Sequence, residues 1–399
     1  MSWPTQKLET VADFCLGKML DQKKNRGEPL PYLANVNVRW GEFDLANLRE
    51  MRFEQHELDR YGLKYGDIVM CEGGEPGRCA IWKEQCSSMM IQKALHRIRP
   101  HDCLRPEFLY YFLFYKARTG HLSSLFTGST IKHLPREKLA LVEVPVPPLS
   151  TQDQIASVLS AYDDLIENNR RRIQLLEQAA RLLYKEWFVH LRFPGHEHTQ
   201  IINGVPEGWE KGVVSDFYDT ASGGTPSRKN PEFYGGTIRW VKTQELEDGF
   251  LFDTEEHITE NAIKKSAAKL FPANAVLIAM YGATIGQVGV IVESSTCNQA
   301  CCAVMPKAEG TSYEHAFLFF LNNKEGLRNL GQGAAQKNIS QQVIRAYEMV
   351  LPDKLVLNMF RINAGPFLRQ IRTLHAMNQK LTKARDILLP KLMNGEVAV

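Results

Sequence analysis

Two stripes of apolar positions, each built from alternating steps of four and three, organise this chain. The first runs through Ile155, Leu159, Tyr162, Ile166, Asn169, Ile173, Leu176, Ala180, Leu183 and Trp187. That spacing holds one face of a helix against a partner helix. Nothing between Gln152 and Arg192 breaks it, so it predicts a helix of roughly 39 residues, about 58 Å long at 1.5 Å per residue. Pro147-Pro148 end what precedes, and Ser150 with Asp153 three positions on predicts the cap. Shifted by 205 residues the stripe returns as Phe360, Ala364, Phe367, Ile371, Leu374, Asn378, Leu381, Arg385, Leu388 and Leu392. Each stripe carries an Asn, Asn169 or Asn378, a device that fixes register at some cost in stability. One seam alone describes an ordinary core helix; two at a fixed offset predict a helical pair. In the second copy Gly365-Pro366 predicts a break, with a long helix starting near Pro366. Pro390 then bends or ends it, and Gly395 stops it.

Shorter patterns fill the stretches before each seam. Residues 1–148 read as mixed α/β: Val11–Phe14, a polar turn around Lys23-Lys24-Asn25-Arg26-Gly27, a strand at Tyr32–Val38 and a buried strand after Gly66-Asp67. A glycine cluster (Gly73, Gly74, Gly77) precedes Cys79–Trp82, Pro106–Tyr115 has helical period, and Leu141–Val146 closes as a strand. Residues 205–352 repeat this plan. Trp209 answers Trp3, Val214–Phe217 answers Val11–Phe14, Ile238–Val241 is the matching strand and Asn274–Met280 replaces the strand after Gly66. Gly128, Lys132 and Pro147 return 205 residues later as Gly333, Lys337 and Pro352. Shared framework with different loops is the pattern of two modules on one scaffold.

Composition narrows the class. At 399 residues and 44% apolar content there is room for two or three domains with real cores. A formal charge of +3 means that any surface for nucleic acid is local. Eight cysteines form no CxxC pair, the start lacks a signal-peptide apolar run, and no apolar run approaches the length of a membrane span. The chain reads as cytoplasmic, with reduced thiols and no membrane partner.

Pro147-Pro148-Leu149, Gln152, Gln154-Ile155, Asp163-Asp164, Arg170–Arg172, Leu175-Leu176-Glu177, Leu183–Phe188 and Arg192-Phe193-Pro194-Gly195 resemble the conserved helical region of type I restriction-modification specificity subunits. The order domain, long helix, domain, long helix is also similar, over essentially the whole chain, and Leu388–Leu392 with Gly395 resembles the family's second helical region. The resemblance implies α/β (α+β) target recognition domains in two copies, related by a pseudo-two-fold internal repeat and separated by two long antiparallel coiled-coil helices. The implied boundaries are recognition domains at 1–148 and 205–352, helical spacers at 149–195 and 353–399, and a linker at 196–204. It implies a non-catalytic subunit that reads a bipartite site in double-stranded DNA, one half-site per domain. Its partners would be methyltransferase subunits, two of them, and restriction/translocase subunits. No cofactor is expected on this chain; S-adenosylmethionine would belong to the methyltransferase, ATP and magnesium to the restriction subunit.

The residues themselves offer little for catalysis. An adenine methyltransferase needs an Asn/Asp-Pro-Pro-Tyr/Phe motif and a glycine-rich loop after a strand; Asn230-Pro231-Glu232-Phe233 lacks the second proline, and Gly331-Gln332-Gly333 opens no G-x-G-x-x-G. There is no P-loop. Cys297, Cys301 and Cys302 lack the second Cys/His pair of a zinc site and read as small core residues. His196-Glu197-His198 reads as a solvated linker. No catalytic or metal-ligating residue is therefore expected.

Sequence readout needs a few basic or amide side chains on loops. In the first module these are Lys23, Lys24, Asn25, Arg26, Arg39, Arg78, Lys132 and His133. In the second they are Ser227, Arg228, Lys229, Asn230, Arg239, Lys242, Gln244, Tyr281, Gln287, Gln336, Lys337 and Asn338. The loops at Gly128–His133 and Gly333–Asn338 stand out because they recur at one framework position. Tyr184, Trp187 and Phe188 are expected to face a partner subunit. Two other classes fit parts of the pattern: a helical protein–protein scaffold with peptide-binding end domains, and a self-contained modification enzyme with a diverged site.

Overall fold

Short runs buried on both faces, Ile68–Cys71 and Cys79–Ile81 among them, build a four-stranded antiparallel sheet in the first of the chain's two units, Met1–Glu167 with Gln379–Val399. Its strand order is Ala12–Leu16, Leu95–Pro100, Ile68–Cys71, Cys79–Ile81. The computed structural model describes residues 3–21, 25–307, 311–331 and 338–397. The unit also holds a pair of Thr5–Lys7 with Glu143–Pro145 and a three-stranded sheet of Arg49–Phe53, Glu28–Leu33 and Met90–Ile91, its last pair parallel through Tyr32 with Met90 and Leu33 with Ile91. The strand expected at Tyr32–Val38 thus lies earlier, at Glu28–Leu33. Pro29 and Pro31 are tolerated there because the parallel neighbour pairs only with Tyr32 and Leu33, leaving the prolines' missing donors unneeded on that side. Pro106 starts the helix Pro106–Arg118, in which all residues from Phe108 to Tyr115 are buried. An all-round apolar helix belongs inside a core, and this one lies in the cluster with Ile68, Ile98, Ile155 and Leu159. Asp67, fully buried, is neutralised by a two-pronged bond from Arg99, with Nε and Nη2 each 2.7 Å from a carboxylate oxygen.

The second unit, Asn168–Asn378, repeats the plan. Its sheet runs Tyr218–Ser222, Cys301–Pro306, Val276–Ala279, Val288–Ile291, with Gly249–Leu251 added in parallel at the edge. A three-stranded sheet again ends in a parallel pair, Trp240 with Thr296 and Val241 with Cys297. The first strand meets its neighbour in the same register in both units: Ala12 opposes Pro100, and Tyr218 opposes Pro306. Tyr313–Asn322 is the counterpart of Pro106–Arg118. Cys297, Cys301 and Cys302 are fully buried, and burial pushes the Cys302 thiol up to about 12.

Two long helices contribute to both units. The first is Leu149–Tyr184, followed by one wider π turn at Lys185–Val189. Its start differs from the expected Ser150 cap. The Pro148 carbonyl already accepts the N–H groups of Thr151 and Gln152, so the helix begins at Leu149, two residues earlier than a Ser150 cap would start it. The fully buried Gln152 side chain then does the tying, donating to the Cys103 and Pro147 carbonyls at 3.0 and 2.8 Å and accepting from Arg105 N–H at 2.8 Å. Asp153 pairs with the Arg105 guanidinium instead, at 2.7 Å.

The second helix, Lys354–Met393, is unbroken, and the expected interruption at Gly365-Pro366 is absent. Pro366 removes one bond, to the carbonyl of Ile362, and Pro366 and Ile362 are both exposed, where water can take the place of the lost bond. On the opposite face Phe360, Leu368 and Ile371 are buried. At about 1.5–3 kcal/mol per buried side chain, they outweigh a proline cost of about 3 kcal/mol. Pro390 does not end the helix either. Gly395, at φ +68°, stops it, with its N–H on Leu392 and that of Glu396 on Lys391.

In the first unit Ile155 and Leu159 share a core with Leu389, Leu392 and Met393, and Asp163 accepts from both Arg385 and the Tyr111 hydroxyl. In the second, Asn169 donates to Asn378 at 2.9 Å, while Tyr184, Trp187 and Phe188 pack on Phe360. Numbers rise along one helix as they fall along the other, so the segments paired within each unit are antiparallel. Among the described residues, no helix is long and apolar enough to cross a membrane.

One buried group of the second unit makes its stability depend on pH. His315 is 1% exposed, with Nδ1 3.1 Å from the Tyr218 oxygen, whose hydroxyl donates to Ser312. Burial holds its pKa down, from 6.5 to about 4. Between those values the unfolded chain takes up a proton that the folded chain refuses. The stability it contributes is therefore complete above pH 6.5 and is lost as pH falls toward 4. At 1.36 kcal/mol per unit, lowering pH from 7 to 5 should cost the wild type about 2 kcal/mol more than a His315→Phe variant in urea unfolding. Parallel pH dependence of the two proteins would refute it.

Candidate nucleic-acid interface

In each unit a distant loop returns to the end of an inner strand. In the first, Ile68–Cys71 runs out into Glu72-Gly73, and Leu134 N–H donates to the Glu72 carbonyl at 2.8 Å. The loop before Leu134 closes on itself through paired bonds between Thr127 and His133, at 2.8 and 2.9 Å. His133 Nδ1 lies 3.2 Å from both oxygens of the Glu72 carboxylate. Gly128 sits at φ +92°, where a Cβ would come within 2.2 Å of the Ile131 carbonyl oxygen, so the turn accepts only glycine. In the second unit Val276–Ala279 runs out into Met280-Tyr281, Ile339 N–H donates to the Met280 carbonyl at 2.9 Å, and Tyr281 bridges Asn338. Leu134 and Ile339 are one repeat apart. The tie of the returning segment to the strand end is built twice.

The structure separates the sequence-derived candidates. Lys23, Lys24, Gln336 and Lys337 lie outside the described residues. Lys132 and His133 belong to the loop just described, Lys132 exposed and His133 half-buried; Arg26 is exposed. Asn25 is instead structural, accepting the Arg52 N–H at 2.8 Å. Arg39 pairs with Asp44 at 3.3 Å. Arg78 is a framework residue: its guanidinium donates to the Asn35 carbonyl at 2.8 Å and to Glu75 at 2.7 Å.

In the second unit the basic candidates are matched by carboxylates. Both terminal nitrogens of Arg228 reach Glu256, at 2.6 and 2.9 Å, and the guanidinium lies 4.2 Å from the Tyr234 ring centre. Lys242 reaches Glu255 at 2.6 Å and Glu256 at 3.0 Å. Hydrogen bonds from Arg228, then Lys242, hold the Glu256 carboxyl at about 2 against partial desolvation. Arg239 pairs with Glu293 at 2.8 Å and Asp253 at 3.5 Å. This corner is electrostatically balanced, so it offers phosphate little net attraction; the forked Arg228 is held in a fixed direction. Ser227, Lys229, Gln244, Tyr281 and Asn338 are exposed, and Asn230 and Gln287 half-buried. Ser227 accepts from Lys229 N–H at 3.3 Å.

Tyr184, Trp187 and Phe188 need correction as docking residues. Tyr184 and Trp187 are 4% and 7% exposed, and Phe188 packs on Phe360, Trp209 and His315. They are core of the second unit. Tyr184 precedes the π turn at Lys185–Val189, and Trp187 and Phe188 lie within it. None of the twenty seam positions is exposed: Ile155, Leu159, Ile166, Asn169, Ile173, Ile371 and Leu374 are buried, and Leu176, Leu183, Phe367, Asn378, Leu381 and Leu388 are half-buried. Sequence reasoning missed Glu72 and Glu256, which anchor His133 and Arg228. They lie 61 and 28 positions from those partners, and no local spacing marks such pairs.

Comparison with known proteins agrees with this duplicated arrangement. The family model described as type I restriction modification DNA specificity domain matches residues 3–178 and 206–355. The MjaIX type I restriction enzyme specificity subunit of Methanocaldococcus jannaschii is 24% identical over 409 residues, covering 100% of this chain and 94% of its own length. The HindI specificity subunit of Haemophilus influenzae is 23% identical, over 91% of this chain and 92% of its own. Among solved structures, a type I restriction-modification S subunit from M. genitalium superposes with a TM-score of 0.62 at 15% identity, covering 98% of this chain and 96% of that one.

Proposed function

Because this chain belongs to the type I restriction-modification DNA specificity family, we propose that it is the non-catalytic subunit that reads a bipartite site in double-stranded DNA, one half-site per unit. The observation that supports this most is the tie built twice: Leu134 on Glu72 and Ile339 on Met280 return segments of different sequence to the same end of the same inner strand. A common framework with different tips suits two half-sites of different sequence. Phosphate contacts would position each unit and a few side chains at the tips would read base edges. The chain docks methyltransferase subunits, two of them, and through them restriction subunits. It binds no cofactor itself: S-adenosylmethionine is held by the methyltransferase, and ATP and magnesium by the restriction subunit.

The test is a domain exchange. Residues 205–352 are replaced by the corresponding stretch of a related specificity subunit, and methylated adenines are mapped in cells carrying the methyltransferase. One half of the target should change and the other stay, because separate loops contribute nearly independently. The purified chain alone should transfer no methyl group. Change in both halves, or methyl transfer by the homogeneous chain, would overturn this function.

A further inference from the structure

We propose that Ile131 reads the methyl group of a thymine in the major groove of the first half-site, a role that rests on the DNA-reading function above. Ile131 is 64% exposed, on a stretch whose residues 127–132 are all exposed. A lone exposed isoleucine is ordinary; this one is held out on a braced support. The paired bonds between Thr127 and His133 close the loop beneath it, Leu134 ties it to the strand end at Glu72, and Gly128 forces the tight turn against Ile131's own carbonyl. Its neighbours Thr130 and Lys132 are a hydroxyl and a cation, both exposed.

A stiff tip presenting one branched apolar group beside a hydroxyl and a positive charge has a specific complement. Along the major-groove edges of B-DNA the thymine C5 methyl is the apolar feature among donors and acceptors, and phosphates line the groove walls. Ile131 would cover the methyl while Lys132 meets a phosphate, which positions the loop without carrying sequence.

The experiment uses the complete methyltransferase complex on duplexes bearing its mapped target. Each thymine of the first half-site is replaced in turn by uracil, which lacks only the methyl. One replacement should weaken wild-type binding about fourfold, the worth of one buried methyl. Ile131→Ala should bind the thymine and uracil duplexes equally, while Ile131→Val keeps the preference. Unchanged melting of the variant shows that the fold is intact, as its exposure requires. The proposal is overturned if no first-half-site uracil matters, if Ile131→Ala keeps the wild-type preference, or if that variant weakens every duplex alike. A complex with no bipartite target at all would overturn the DNA-reading function, and this role with it.

Discussion

Removing one heptad from each long helix should move the preferred gap between half-sites. The deletion to make is residues 165–171 with 376–382. The first stretch follows Asp164, bonded to Lys83, and precedes Ile173 in the second unit's core. The other follows His375, whose ring meets Phe252, and precedes Arg385, bonded to Asp163. Seven residues keep the seam in phase. Each helix shortens by about 10 Å at 1.5 Å per residue, or about three base pairs at roughly 3.4 Å each. Three base pairs also turn the duplex by about a quarter turn or more, since a turn takes 10–10.5, and twisting DNA to compensate costs energy. Binding to the original target should fall by at least about a hundredfold, with surviving targets having a shorter gap and unchanged half-sites. Methylation mapping reads both. A folded variant that keeps the original gap at full affinity would show that helix length does not set the spacing. The deletion also removes the Asn169–Asn378 bond, so folding is checked first by urea unfolding.

Phe360→Ala should strongly destabilise the second unit. Phe360 is fully buried between the rings of Tyr184, Trp187 and Phe188, at 6.2, 5.7 and 4.7 Å. Truncation loses the transfer energy of the ring and leaves a cavity that aromatic neighbours cannot collapse into, about 3–5 kcal/mol in all. Ile362→Ala, two residues on and 61% exposed, should stay within about 0.5 kcal/mol. Urea midpoints of the two variants are the comparison. Similar costs would mean that the aromatic cluster is not what holds the helices in this unit.

Much of the architecture was legible because it is periodic. A heptad seam is a local property of one helix, and a repeat at a fixed offset needs no knowledge of contacts, so the first long helix, the seam of the second and the repeated plan could be drawn from the sequence. The buried sheet strands were legible as short apolar runs, although the proline-containing strand Glu28–Leu33 was misplaced by a few residues. Site residues were harder. Basic residues on polar loops were found, but nothing local told that Arg78 and Asn25 are tied into the framework or that Glu256 neutralises Arg228 and Lys242.

The helical faces and their duplication therefore follow from the chain alone, because side-chain period fixes which residues share a face. Tertiary structure decided which of two faces is inside and which local rule yields. Tyr184 and Trp187 look like a free aromatic edge until a wide helical turn and Phe360, more than 170 residues away, enclose them. Pro366 looks like a break until Phe360, Leu368 and Ile371 bury the opposite side of the same turns. In both cases the deciding energy is apolar burial against distant residues, which exceeds the local preference and is not written in the neighbouring sequence.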